Sequence, residues 1–240
     1  MVELRVDDHR ATIEAPDFGP LTGYDAAFAR DLGAAVIEAS DDDRVKVLVL
    51  RATGPDFAPD REPALLPSPA GILTGWHRDF AASAALYQAL CFSKKVVLTE
   101  VAGECAGAGS MLVLCSDLTV AADDARFGSP FDLPEANFVL AALTMRLNRA
   151  KSWLLRGSVL PAAPALAVGL VNRVVPATEL ADATQAMVTA ASGMPLDGIT
   201  MSKMLLQAVL DGHGVGREFD MAGHYAIHRA TVSTPTEGAR

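Results

Sequence analysis

Cysteine, aromatic and basic residues are all scarce in this 240-residue chain, and each shortage excludes something. The three cysteines, Cys91, Cys105 and Cys115, are odd in number and lack CxxC spacing, which argues against a disulfide framework or a thiolate metal site. Their neighbours are apolar or small, so they read as reduced core thiols. Lys and Arg total 20 against 29 Asp and Glu, a net charge of −9, and no basic stripe runs along the chain. That balance argues against a nucleic-acid surface. No apolar run reaches the roughly eighteen residues that span a bilayer. Glu3, Arg5, Asp7 and Asp8 interrupt any signal-peptide core. The expectation is a cytoplasmic protein without nucleic-acid or membrane partners. His224 and His228 are spaced i,i+4, but no third ligand or glutamate motif accompanies them, so no metal is expected.

What is present is a globular composition, 50% apolar and 20% charged, in a chain long enough to bury a substantial core. Residues 2–6 and 9–14 read as a hairpin about the Asp7-Asp8 turn. Tyr24, Phe28, Leu32 and Val36 recur every fourth position, an amphipathic helix that stops near Ser40–Asp43. Val45–Leu50 reads as a buried strand by its nearly unbroken apolar run with β-branched residues. The prolines at 55, 59, 63, 67 and 69 make 53–70 a loop. A helix over 76–91 leads to a second strand at Val96. Strands at 117–122 and 169–176 and helices over 143–155, 179–191, 199–210 and 215–230 follow. The pattern predicts an α/β core over 1–175 with a helical subdomain over 176–240.

The most informative stretch runs from Val96 to Phe131. An apolar strand enters a turn of small residues, Ala102 to Ser110, and an apolar helix follows. Small residues let a ligand approach the backbone, and free N–H groups at a helix start face negative oxygen. That is how an oxyanion hole is built.

Val96–Gly103, Ala106-Gly107-Ala108-Gly109, Cys115-Ser116-Asp117 and Ala122–Pro130 keep the order and spacing of the crotonase superfamily, the enoyl-CoA hydratase/isomerase family, which the chain resembles. Val47–Leu50 with Gly54 and Phe57, Leu155-Arg156-Gly157 and Ala167–Val171 extend the resemblance over most of the sequence. The resemblance implies an α/β spiral of ββα units, a homotrimer or hexamer, and an acyl-CoA thioester as ligand. No cofactor is implied apart from the coenzyme A of the substrate. It also implies that the backbone N–H groups of Arg61 and Ala108 receive the thioester oxygen as it becomes an enolate. Ala58, Asp60, Gly107, Gly109, Met111, Phe131 and Lys203 fall at positions expected to contact substrate.

The departures bear on the reaction. Asp60 stands where the family carries glycine ahead of the first donor, so a strained backbone is expected there. Met111 and Phe131 stand where hydratases carry two glutamates, and neither side chain moves protons. The downstream loop, Glu135–Ala142, is shortened. Asp132 and Glu135 flank the second lost glutamate and are candidate bases, unless they are solvated loop carboxylates. Glu100 and Glu104 lie in or beside the apolar strand, as bases if buried or as partners of a cation. His77 is a further candidate base or a surface histidine. The readings left open are an isomerase, C–C hydrolase or other atypical reaction, a non-catalytic acyl-CoA-binding scaffold, or a hydratase with a relocated acid/base pair.

Overall fold

The computed structural model describes residues 1–61, 72–131, 133 and 136–221, with the side chains of 72–79 left aside. A six-stranded sheet organises the chain. Strands β1 (Glu3–Asp7) and β2 (Arg10–Ala15) form the expected hairpin, Asp7 opposite Arg10 and Glu3 opposite Glu14. β2 then pairs in parallel with β3 (Val47–Ala52), β3 with β4 (Val96–Val101), β4 with β6 (Leu118–Ala122), and β6 with β9 (Arg173–Val175). The inner strands β3, β4 and β6 place apolar residues on both faces, Leu48, Val97 and Ala121 in one core cluster and Val49, Leu98 and Val120 in another.

Three very short strands, β5 (Glu104–Cys105), β7 (Arg126–Phe127) and β8 (Leu160–Pro161), form a second sheet. Ala58 adds a bridge to Cys105. β3, β4 and β6 are each followed by a bridge or a short strand and then a helix, the repeating unit of the expected ββα spiral. Two-residue strands carry no periodicity, so the sequence pattern does not announce them.

Helix α1 (Ala26–Asp41) is capped by Asp25, whose carboxylate accepts the N–H groups of Ala27 and Phe28, both at 3.0 Å. Its Leu32, Val36 and Ala39 are wholly buried, against the expected core face. α2 spans Ile72–Cys91, longer at its start than the periodicity suggested. α3 (Ala108–Cys115) is buried throughout. The helix expected over 143–155 is two helices, α4 (Phe138–Thr144) and α5 (Leu147–Arg156), because Met145 and Arg146 take extended conformations between them. α6 (Ala162–Val168), α7 (Leu180–Ser192), α8 (Leu196–Gly212) and a stretch over 215–221 complete the helices. Among the described residues, no helix is long and apolar enough to cross a membrane.

All three cysteines are free and buried, as read from their neighbours. Burial pushes the thiols of Cys105 and Cys115 well above the ordinary range, so neither is a thiolate at neutral pH. Glu100 is also buried and faces Arg51 at 4.0 Å, while Arg51 is held closely by Glu14 on the next strand. Glu100 is therefore the carboxylate partner of a cation.

Candidate functional site

The turn after β4 is shaped by Gly107, which has φ +49° and ψ −114°. An L side chain rarely adopts that conformation, and a Cβ there would meet Thr22 Oγ1 at 2.8 Å. Ala108 opens α3, and its N–H is one that no helical carbonyl can accept. Ser110 donates from Oγ to the Gly128 carbonyl at 2.6 Å and also reaches the Cys105 carbonyl at 3.1 Å. These bonds stitch the first turn of α3 to β5 and β7.

The loop bearing Asp60 and Arg61 lies against the same turn. Ala58 donates to the Glu104 carbonyl and Ala106 to the Ala58 carbonyl, both at 2.8 Å. Behind it, Phe18 packs on Phe57 with ring centroids 4.8 Å apart. One guanidinium nitrogen of Arg61 donates to both carboxylate oxygens of Asp17 at 2.9 Å. Asp17 Oδ1 also accepts the Gly19 N–H at 2.8 Å. The Arg61 side chain is thereby pulled back, while its backbone N–H meets no acceptor among the described residues. Asp60 has no positive φ; among the described residues, Asp8 and Tyr24 are the non-glycine residues that do. The strain expected at Asp60 is therefore absent, because this loop runs past without a left-handed turn.

A cavity of about 530 Å³ opens between these segments. Asp60, Arg61, Gly107 and Phe131 line it, so four expected residues are brought together. Thr22, Glu104, Arg126, Ser129, Leu133 and Val159 are also in its wall. β5 and β7 form its floor. Alternate residues point the same way along a strand, so Glu104 and Ala106 on one chain segment, Arg126 and Gly128 on the other, all reach the cavity. The residues between, Cys105 and Phe127, are wholly buried.

Other expectations are corrected. Met111 is wholly buried and lies outside the cavity wall, its Sδ accepting the Asn137 N–H at 3.4 Å. It belongs to the core because its turn of α3 faces Asn137. Ala58 and Gly109 likewise lie beneath the cavity, and a Cβ on Gly109 would collide with that of Ala58. Their role is close packing of loop against helix. Lys203 sits on α8, where its Nζ donates to Asp117 Oδ2 at 2.5 Å, and lines a separate small pocket with Cys91 and Phe92. Asp132, Glu135, His224 and His228 lie outside the described residues, as does the side chain of His77.

Ala108 N–H donates to Thr22 Oγ1 at 3.0 Å. Thr22 and Arg126 were not legible as site residues. Thr22 is 86 positions from Ala108 and belongs to no motif, and Arg126 sits in a strand too short to announce its face. Next to the main cavity is an apolar one of about 600 Å³ sharing Phe131 and Leu133, with Phe138, Val139 and Met221 in its wall. Phe131 and Phe138 are stacked there at 6.2 Å and 3°. Among the described residues, no cluster of His, Cys, Asp and Glu could hold a metal ion.

The fold and sequence have clear relatives. The family model described as Enoyl-CoA hydratase/isomerase matches residues 23–221. A Mycobacterium tuberculosis protein named "Putative enoyl-CoA hydratase EchA13" is 28% identical over 227 residues, 83% of this chain and 70% of that protein. A crystal structure of a probable enoyl-CoA hydratase from Mycobacterium smegmatis aligns with a TM-score of 0.81 at 26% identity, over 98% of this chain and 97% of that one. An enoyl-CoA hydratase/isomerase from Xanthobacter autotrophicus Py2 shares the fold with a TM-score of 0.83 at 20% identity, over 98% and 88%. With that match over most of its length, a ββα spiral and a glycine turn at the head of a buried helix, the chain belongs to the enoyl-CoA hydratase/isomerase family.

Proposed function

We propose that the cavity takes the acyl end of a coenzyme A thioester and that the chain stabilises its enolate in an isomerisation, C–C cleavage or other atypical reaction of the family. The observation that carries this is the convergence of Arg61, Gly107, Glu104 and Phe131 on one cavity at the head of α3. A thioester oxygen near the Arg61 N–H would meet a preorganised donor, worth about 3–4 kcal/mol in transition-state stabilisation, and would face the positive end of α3. The proton would be taken by a carboxylate. Glu104 on the floor is the best placed among the described residues, with Asp132 and Glu135 beside the lining residues Phe131 and Leu133 in sequence. Coenzyme A enters only as part of the substrate, and no other cofactor is required.

Crotonyl-CoA hydration at ordinary family rates is not expected, since Met111 and Phe131 supply no proton-transfer group. The test is incubation of the pure protein with enoyl-CoA and β-ketoacyl-CoA thioesters, with products followed by mass spectrometry. Rapid hydration of crotonyl-CoA would overturn the reading.

A second reading, a non-catalytic acyl-CoA-binding scaffold, draws on the Ala108 N–H being already engaged by Thr22. Binding of the thioesters without any product or α-proton exchange would favour it. A homotrimer or hexamer in the cytoplasm completes the proposal. Met201, Leu205 and Leu206 stand 62–71% exposed on α8, and self-association would cover them.

A further inference from the structure

The oxygen that sits on the Ala108 N–H is that of Thr22, at 3.0 Å. Thr22 is only 4% exposed, yet it belongs to the cavity wall, whereas Ala108 is fully buried and does not. A hydroxyl has one proton to give in addition to the lone pairs with which it accepts. That proton meets no acceptor among the described residues. From the acyl-CoA reading above, we infer that the Thr22 hydroxyl is the group that meets the thioester oxygen, relaying the Ala108 N–H one bond further into the cavity.

The relay is chemically consistent. Ala108 N–H donates to Thr22 Oγ1, and Thr22 O–H donates to the thioester oxygen. A hydroxyl that accepts from the positive end of a helix becomes a better donor, because successive hydrogen bonds polarise one another. The position is also built to hold. Thr22 N–H donates to the Gly19 carbonyl at 3.0 Å, Leu21 beside it is wholly buried, and Asp25 caps α1 three residues on. Between them Tyr24 takes φ +57°, an uncommon conformation for a tyrosine. Gly107 gives the room, since a side chain there would strike Thr22.

The experiment uses butyryl-CoA labelled with ¹³C at the thioester carbonyl, and coenzyme A alone as comparison. Carbonyl chemical shift and dissociation constant are measured for the wild type, Thr22→Ser, Thr22→Val and Thr22→Ala. A donor on the carbonyl oxygen moves the shift downfield. The expected result is a downfield shift in the wild type and in Thr22→Ser that is clearly smaller in Thr22→Val and Thr22→Ala, where the Arg61 N–H is the donor that remains. Butyryl-CoA affinity should fall about tenfold without the hydroxyl, while affinity for coenzyme A is unchanged.

A wild-type shift retained in Thr22→Val would overturn the relay. So would a larger shift or tighter binding in Thr22→Ala, which would make Thr22 a plug on the Ala108 N–H. Should Thr22→Val fail to fold, Thr22→Ala decides. Wild-type binding of butyryl-CoA without any shift overturns the relay alone, and failure to bind either ligand overturns the acyl-CoA reading with it.

Discussion

The Sδ of Met111 accepts the Asn137 N–H at 3.4 Å, which ties the middle of α3 to the start of α4. Asn137 is almost wholly buried and uses its side chain twice. Oδ1 accepts the Leu140 N–H, and Nδ2 donates to the Val215 carbonyl, both at 3.0 Å. The position that could have borne an acid is a junction of three chain segments. Met111→Leu keeps volume but strips the Asn137 N–H of its acceptor, so it should cost about 1–3 kcal/mol. Chemical denaturation measures this, and a change within 0.5 kcal/mol, roughly the scatter of neutral surface exchanges, would contradict it.

Glu104→Gln should abolish exchange of the substrate α-proton with solvent deuterium while thioester binding persists. Asp132→Asn and Glu135→Gln are the comparison. If one of them, rather than Glu104→Gln, stops exchange in the NMR assay, the base lies in the loop after Phe131.

Lys203→Met should weaken the fold and leave ligand affinity alone. Its side chain is 13% exposed and its ammonium is held by Asp117, whose Oδ2 also accepts the Val97 N–H at 2.7 Å. Losing a partly buried charged bond of this kind costs about 1–3 kcal/mol before solvent screening reduces it. Thermal melting reads the stability and calorimetry the affinity. A drop in coenzyme A affinity at unchanged stability would return Lys203 to the substrate.

Asp42 tests the electrostatics away from the site. The Arg44 side chain, hydrogen-bonded at 2.6 Å to its carboxylate, and the Arg44 N–H pull its pKa down to about 2. A folded pKa below the unfolded one contributes stability above the unfolded value of about 3.9, and that contribution is lost as pH falls through about 2. The Asp42 carboxyl carbon should therefore titrate in NMR well below the ordinary aspartate value of about 3.9. In Arg44→Ala its midpoint should rise towards 3.9, the unperturbed value for aspartate.

Self-association should depend on α8. Leu205→Glu with Met201→Glu places charge on its exposed apolar stripe, and light scattering should then report a smaller particle than the wild type. Equal masses for both would remove α8 from any interface.

Long elements and the glycine turn were legible because their signals are local. The apolar run of Val47–Leu50, the four-residue recurrence in α1 and the run of small residues at 106–109 each state their structure within one window. Side-chain direction was much less so. Family resemblance points Met111 at the pocket, yet the start of α4 at Asn137 packs against its Sδ and keeps it in the core. Thr22 escaped notice because only the tertiary fold brings its loop over Ala108. Glu104 was recognised as unusual, but its exposure into the cavity rests on pairing with Arg126, which a two-residue strand does not advertise.

The floor ribbon divides labour by parity. Cys105 and Phe127 anchor it inward, while Glu104 and Arg126 extend from it without contributing to the core. Substitution at the outward pair can therefore alter the chemistry offered to a ligand at little cost in folding, because the inward pair continues to carry the structure. Glu104 and Arg126 are thus positions at which the lining of the cavity is separable from the core beneath it.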